Sequence, residues 1–269
     1  MPELPEIVVI SKQMNETIAE KKIESVAIYQ SKCLNRPEED YARHLVGQKV
    51  KKVAPLGKWV EIHFSRGDRL LISLGMGGEL LYFTSSSEIP SNVKFVVRFT
   101  DQSGFYITLS WFGYFHLILK GESNPMTDSL GSDALEISLV DFQKLLKGNK
   151  SGIKSFLMNQ KNLRGIGNFY IQEILFQARI HPLKKIDCLT DENIVMLYDA
   201  MQSVLEEAVD KGSSFYEVDF FGQKGDYTLE LLSFAYKEGA KCPVCGAETE
   251  KIKTGSTAQY VCPRCQPIA

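Results

Sequence analysis

The chain has 269 residues, 44% hydrophobic and 24% charged, enough to bury a sizeable core, more readily as two domains than one, and too ordinary in composition for a fibrous or disordered protein. No apolar run approaches the roughly 18 residues of a membrane span, and the start lacks the basic-then-apolar order of a secretion signal, so a cytoplasmic location is expected. A net charge of −2 and a pI of about 6.1 weigh against a uniformly basic nucleic-acid binder; any such role must come from local charge.

In chain order, the first element follows the opening MPELPEIVVI. Pro5 suits a first helical turn, and Ile7, Ile10, Met14 and Ile18 recur at helical spacing, so Glu6–Lys21 reads as a helix. From Ile23 to Leu119 the short runs WVEIHF, RLLISL, ELLYF, KFVVRF, FYITLS and YFHLIL are separated by Gly, Asp, Ser and Pro. That pattern predicts an antiparallel sandwich. GESNPMTDSLGSDAL reads as a linker. Beyond it Leu139–Lys147, Gly152–Asn159, Asn168–Arg179 and Asp191–Lys211 read as helices, the last with Thr190 as its N-cap. The expected class is α+β. An N-terminal helix and antiparallel β-sandwich occupy 1–120, a linker 121–138, a helical domain 139–235 and a zinc-bearing hairpin 236–269.

Four of the six cysteines, Cys242, Cys245, Cys262 and Cys265, form C-x2-C-x16-C-x2-C. This spacing suits one zinc held tetrahedrally by two knuckles; two disulfides are the competing reading, which a cytoplasmic location opposes. Between Phe142 and Gln172 stand Lys144, Lys147, Lys150, Lys154, Lys161 and Arg164 with no acidic residue. A solvated face would mix signs, so the window is a candidate polyanion site. Within it, Gly165 and Gly167 lead into a helix near Asn168. Such a turn either caps the helix or brings backbone N–H groups, Asn168 and Lys154 to a phosphate.

The N-terminus offers a nucleophile. Initiator Met1 is generally removed before a small residue, which would expose Pro2 as a secondary amine. An α-amino group titrates near pH 8, far below a lysine, so about a tenth of it is unprotonated and nucleophilic at neutral pH. Glu3 and Glu6 stand close enough in sequence to serve as general acid or base. The bland alternative is that PELPE starts a helix, its acids favouring the dipole.

PELPEI at the start, LGMGG at Leu74–Gly78, LRGIGNFYIQEILF at Leu163–Phe176 and the four-cysteine module occur in that order. Together they resemble the formamidopyrimidine-DNA glycosylase and endonuclease VIII family over essentially the whole chain, and the opening is closer to the formamidopyrimidine branch. The resemblance implies that Pro2 attacks C1′ of a damaged nucleotide, that Glu3 assists base departure and later proton transfers, and that Glu6 helps hold the site. It places Lys58 near the lesion on a strand turn. It makes Lys154 and Asn168 phosphate-binding residues of a helix–two-turn–helix domain, Met76 and Phe112 wedges inserted into the duplex, and the four cysteines ligands of one structural zinc. The implied activity is base excision with AP-lyase nicking by β/δ-elimination. The implied partner is double-stranded DNA carrying a damaged base or abasic site, bound by a monomer on the bacterial nucleoid.

Two substitutions depart from this pattern. The family usually carries a doubled arginine before Phe-Gly, and its second arginine reads the base opposite the lesion; this chain has LSWFGYF, with Trp111 at that place. An arginine five residues before the third cysteine is replaced by Thr257. The first predicts altered or lost opposite-base discrimination, and both, together with the acidic pI, predict weaker DNA binding. Phe220–Tyr227, FFGQKGDY, corresponds to the loop that contacts the everted base, but its composition is unusual, so no lesion is assigned. A DNA-binding relative without repair activity is the alternative, and a zinc-stabilised RNA or protein interaction factor is a third.

Overall fold

The computed structural model describes residues 1–237, 239–255 and 257–268. The chain forms two compact units. One comprises Met1–Asp128 and Lys211–Asp226, the other Ser129–Asp210 and Tyr227–Ala269.

The first unit opens with α1, Leu4–Ile18. Ile7, Ile10, Met14 and Ile18 are all 0–1% exposed, each contributing about 1.5–3 kcal/mol on burial. That face, more than the charges of the opening, holds the helix in place. The helix begins two residues before the sequence expectation because Glu3 takes the cap position and Pro5 is tolerated in the first turn. It ends early because Glu20 adopts φ +63, which breaks the helical path. Then follow β1 (Ile23–Ile28), α2 (Glu38–Leu45), β2 (Val50–Leu56), β3 (Trp59–Phe64), β4 (Arg69–Ser73), β5 (Glu79–Phe83), β6 (Phe95–Phe99), β7 (Gly104–Thr108) and β8 (Tyr114–Ile118). They make two four-stranded sheets, ordered β1-β6-β7-β5 and β2-β3-β4-β8. Every pairing in both is antiparallel. One apolar cluster joins α1 to both sheets, with Phe95 of one stacked on Phe115 of the other at 4.3 Å.

Residues 211–226, placed by the sequence reading in the stretch 139–235, pack in the structure with this first unit. Phe220 is fully buried in its core, and its carbonyl accepts the Tyr82 amide at 2.8 Å. Gln13 of α1 holds the same segment twice, donating to Asp219 and accepting from the Phe220 amide.

The second unit carries β9 (Ser132–Asp133), α3 (Leu139–Leu146), α4 (Ile153–Met158), β10 (Leu163–Arg164), α5 (Tyr170–Gln177) and α6 (Asp191–Asp210). β9 and β10 pair in parallel. Ser138 caps α3 through the Asp141 amide, and Thr190 accepts the Asn193 amide at the start of α6. The antiparallel hairpin β11 (Glu250–Thr254) and β12 (Thr257–Val261) closes the chain. Among the described residues no helix is long and apolar enough to cross a membrane.

Candidate active site and nucleic-acid-binding residues

Chain ends usually fray; this one is clamped. Pro2 and Glu3 are buried, and Glu6 is only 2% exposed. One oxygen of Glu6 accepts the Glu3 amide at 2.8 Å, closing the capping box. The other accepts the Ser214 amide at 3.1 Å. A single buried carboxylate thus ties the first residues of α1 to the 211–226 segment. Removing it would leave two buried N–H groups without their acceptor, at about 1–3 kcal/mol each. Glu6→Ala is therefore expected to lower the unfolding free energy by a few kcal/mol, read as a fall in the denaturant midpoint at constant slope.

Lys58 sits at the tip of the β2–β3 hairpin, where Leu56 pairs with Trp59 across the two-residue turn Gly57–Lys58. Gly57 adopts φ +60, which suits glycine at the first central position of a II′ turn. Lys58 is half-buried and has no hydrogen-bond or ion-pair partner among the described residues, so its ammonium remains available to an incoming anion.

Two further loops of this unit are joined. Met76 and Trp111 exchange backbone hydrogen bonds at 2.9 and 3.3 Å. Gly75 is required here, because at φ +61 an added Cβ would lie 1.9 Å from the Trp111 carbonyl oxygen. The joined loops present Met76 at 45% exposure and Trp111 and Phe112 each at 67%. Phe112 adopts φ +58, a conformation that a bulky residue takes only under constraint. Three large apolar side chains held out from a fixed double loop make a wedge suited to insertion between bases. Ser110 turns back to the Gly77 carbonyl, so neither position of the doubled arginine presents a guanidinium.

In the second unit Lys154 is 4% exposed. Its ammonium donates to Asn168 Oδ1 at 3.0 Å, Thr254 Oγ1 at 2.7 Å and Thr257 Oγ1 at 3.0 Å. All three of its protons are used, and every acceptor is neutral. Burial, with no counter-charge beside it among the described residues, lowers its pKa to about 8. An open cavity of about 390 Å³ lies beside it, lined in part by Gly152, Ser155, Met158 and Leu183. Thr257, at the position where the family resemblance implies an arginine, thus holds the lysine in place. Asn168 does not cap α5, which starts at Tyr170 with Phe169 in the cap position. The glycine turn before it is stapled by Gln160, which accepts the Gly165 amide and donates to the Ile166 carbonyl. The basic window is not one open face. Lys144 pairs with Asp141 and Arg164 with Asp133, while Lys147, Lys150 and Lys161 are exposed.

The depressed pKa makes a prediction. As pH rises through about 8 the Lys154 ammonium loses its charge, and affinity for DNA is expected to fall by about tenfold per pH unit at the steepest. Unfolding would not explain that loss. The unfolded chain binds more protons than the folded one between about 8 and the ordinary lysine value, so this group makes the fold more stable as pH rises across that window. Binding isotherms of Lys154→Met, expected to be weak and flat with pH, check it.

The Sγ atoms of Cys242, Cys245, Cys262 and Cys265 all lie within 4.8 Å of one another. Cys242 and Cys265 are 3.7 Å apart, Cys245 and Cys262 3.4 Å. A zinc tetrahedron with 2.3 Å bonds has edges of about 3.8 Å, so the donor set fits one ion. Four thiolates leave no open coordination position, and the metal's contribution is structural. Metal analysis is expected to find one zinc per chain. Chelation should weaken DNA binding, because Thr254 and Thr257 on this hairpin hold Lys154; an affinity unchanged by chelation would refute that link.

Residues 1–110 match the family described as the formamidopyrimidine-DNA glycosylase N-terminal domain, 130–218 its H2TH domain, and 239–268 the zinc finger found in FPG and IleRS. The formamidopyrimidine-DNA glycosylase of Brevibacillus brevis is 32% identical over 275 residues, covering 99% of both chains. The chain belongs to the formamidopyrimidine-DNA glycosylase family. The Bacillus cereus enzyme of that name is likewise 32% identical, over 278 residues and 99% of both chains. Among solved structures, the Lactococcus lactis Fpg bound to DNA containing N7-benzyl-Fapy-dG superposes with a TM-score of 0.90 at 27% identity, covering 99% of this chain and 100% of that one. The same protein with abasic-site DNA gives 0.89 at 26%, covering 98% and 99%.

Members of this glycosylase family are read from short motifs, and several residues that shape the site here lie outside them. Ser214 acts through its backbone amide, so no residue type marks it. Gln13 hides in a helix whose apolar stripe draws the eye. Thr254 and Tyr236, whose hydroxyl bonds the Asn168 carbonyl at 3.3 Å, gain meaning only when the chain returns to them.

Proposed function

We propose that the chain is a base-excision DNA glycosylase with AP-lyase activity, acting through the amine of Pro2 once Met1 is removed. The observation that carries this is the clamped N-terminus: Pro2 and Glu3 buried at a chain end that Glu6 fixes from two sides. The Pro2 nitrogen attacks C1′ of an everted nucleotide, and the C1′–base bond breaks. The base leaves with a proton for which Glu3 is the nearest carboxyl donor in sequence. The nitrogen loses its proton, the C1′–O4′ bond breaks with a proton delivered to O4′, and the ring-opened iminium that forms acidifies the 2′ hydrogen; loss of that hydrogen expels the 3′ phosphate, and a second elimination expels the 5′ phosphate. Lys58 steadies the phosphate charge near the lesion. Met76, Phe112 and Trp111 fill the space the everted nucleotide vacates, offsetting an unstacking cost of a few kcal/mol. Lys154 and Asn168 hold the strand, which requires a phosphate to displace one of the lysine's three neutral partners. A cytoplasmic place on nucleoid DNA follows from this role.

Loss of the guanidinium at Trp111 favours a second reading, a DNA-binding relative that does not cut. One assay separates the two. Protein confirmed by mass to start at Pro2 is mixed with an abasic duplex, with and without borohydride. A nicked strand and a reduced covalent adduct are expected; tight binding with neither would establish the second reading.

A further inference from the structure

The terminal amine of Met1 forms an ion pair with Glu217 at 3.0 Å, and the Glu217 side chain is only 19% exposed. Glu217 stands between two anchors of its segment. On one side the Ser214 amide bonds Glu6. On the other Asp219 and the Phe220 amide both bond Gln13. Val218 is bridged in addition to Lys224. None of these anchors involves Met1, so Glu217 stays beside α1 when Met1 is cleaved. The nitrogen of the next residue lies at most about 3.7 Å further along the chain, within reach of one side-chain rotation.

We propose that Glu217 is a positioning residue for the nucleophile: its carboxylate pairs with the Pro2 ammonium of the processed enzyme, aims it, and sets the pH at which the amine is free to attack. This rests on the function proposed above. The charged groups on the elements that meet at the N-terminus are Glu3 and Glu6 at the start of α1, Lys211, Glu217, Asp219, Lys224 and Asp226 on the 211–226 segment, and Lys58 on the β2–β3 hairpin, whose strands pack on α1. Glu6 is committed to the Glu3 and Ser214 amides. Asp219 is committed to Gln13 and to the amides of Phe221 and Gln223. Glu217 is the carboxylate seen in contact with the terminal amine. An opposite charge within about 4–6 Å favours the protonated form of an amine over its free form. The electron pair needed for attack is available only once the paired ammonium has given up its proton.

The test follows the rate of borohydride trapping against pH, using an abasic duplex, for wild type, Glu217→Gln and Glu217→Asp, each confirmed to start at Pro2. In Glu217→Gln the acid limb is expected to move down by about half a unit or more, while the plateau rate falls because the amine is no longer aimed. Glu217→Asp keeps the charge and should hold the limb near its wild-type position. Affinity for a duplex with a tetrahydrofuran abasic analogue, which cannot form the adduct, should be unchanged in both variants and reports that they are folded. A wild-type adduct with superimposable profiles for Glu217→Gln would overturn this inference alone. Absence of any wild-type adduct would overturn the proposed function and this inference together.

Discussion

Protein that keeps Met1 traps abasic DNA about a thousandfold or more slowly than protein starting at Pro2, the scale expected when a nucleophile is removed. The reason lies in the nitrogen. With Met1 in place the Pro2 nitrogen is a tertiary amide with no lone pair to give. The Met1 amine is a primary amine one residue away, paired with Glu217. It sits one residue outside the buried Pro2–Glu3 step, so an attack from it would start from a different place. Expression with methionine aminopeptidase inhibited supplies the unprocessed form, and intact mass confirms it. Equal trapping by both forms would place the chemistry elsewhere. Glu3→Gln in processed protein separates the stages: base release should fall steeply while binding to a tetrahydrofuran duplex holds.

The second large effect concerns the base opposite the lesion. Wild-type protein is expected to cut an abasic strand at rates within about threefold whichever base stands opposite, because an indole carries one N–H donor and no acceptor and cannot make a bidentate pair. Trp111→Arg should introduce a preference of about tenfold, the value of a single base-specific pair at the lower end of its range. The backbone bonds between Met76 and Trp111 hold the loop in either variant, so the change reads side-chain chemistry and not loop geometry. Trp111→Ala, which loses the stacking surface, should instead weaken cutting opposite every base alike, by on the order of tenfold. A wild-type enzyme with a strong opposite-base preference would show that another residue does the reading.

Much of the fold was legible because its strands are strongly patterned. WVEIHF became β3 with no change of boundary, and Thr190 marked the start of α6 by its own side chain. The elements that escaped notice have physical reasons. β1 and β2 are edge strands, and β2 carries two lysines and Pro55, which edges tolerate and central strands do not. α2 buries only Tyr41 and Leu45 in eight residues, too few to show a period. The return of 211–226 to the first unit depends on Phe220 and on Glu6 and Gln13, residues about two hundred positions apart; no local pattern encodes such a pairing. Of the candidate site, the cysteine module and the Pro2–Glu3 opening could be picked out as motifs. The neutral cage of Lys154 could not, since Thr254 and Thr257 look like ordinary hairpin residues until the lysine is seen between them.

The most direct measurement maps the covalent bond. Processed protein reduced on abasic DNA is digested, and the peptide carrying the deoxyribose remnant is sequenced by mass spectrometry. The remnant is expected on the nitrogen of Pro2 in the N-terminal peptide. A remnant on Lys58, or on any other lysine, would contradict the assignment of the chain's own terminus as the nucleophile.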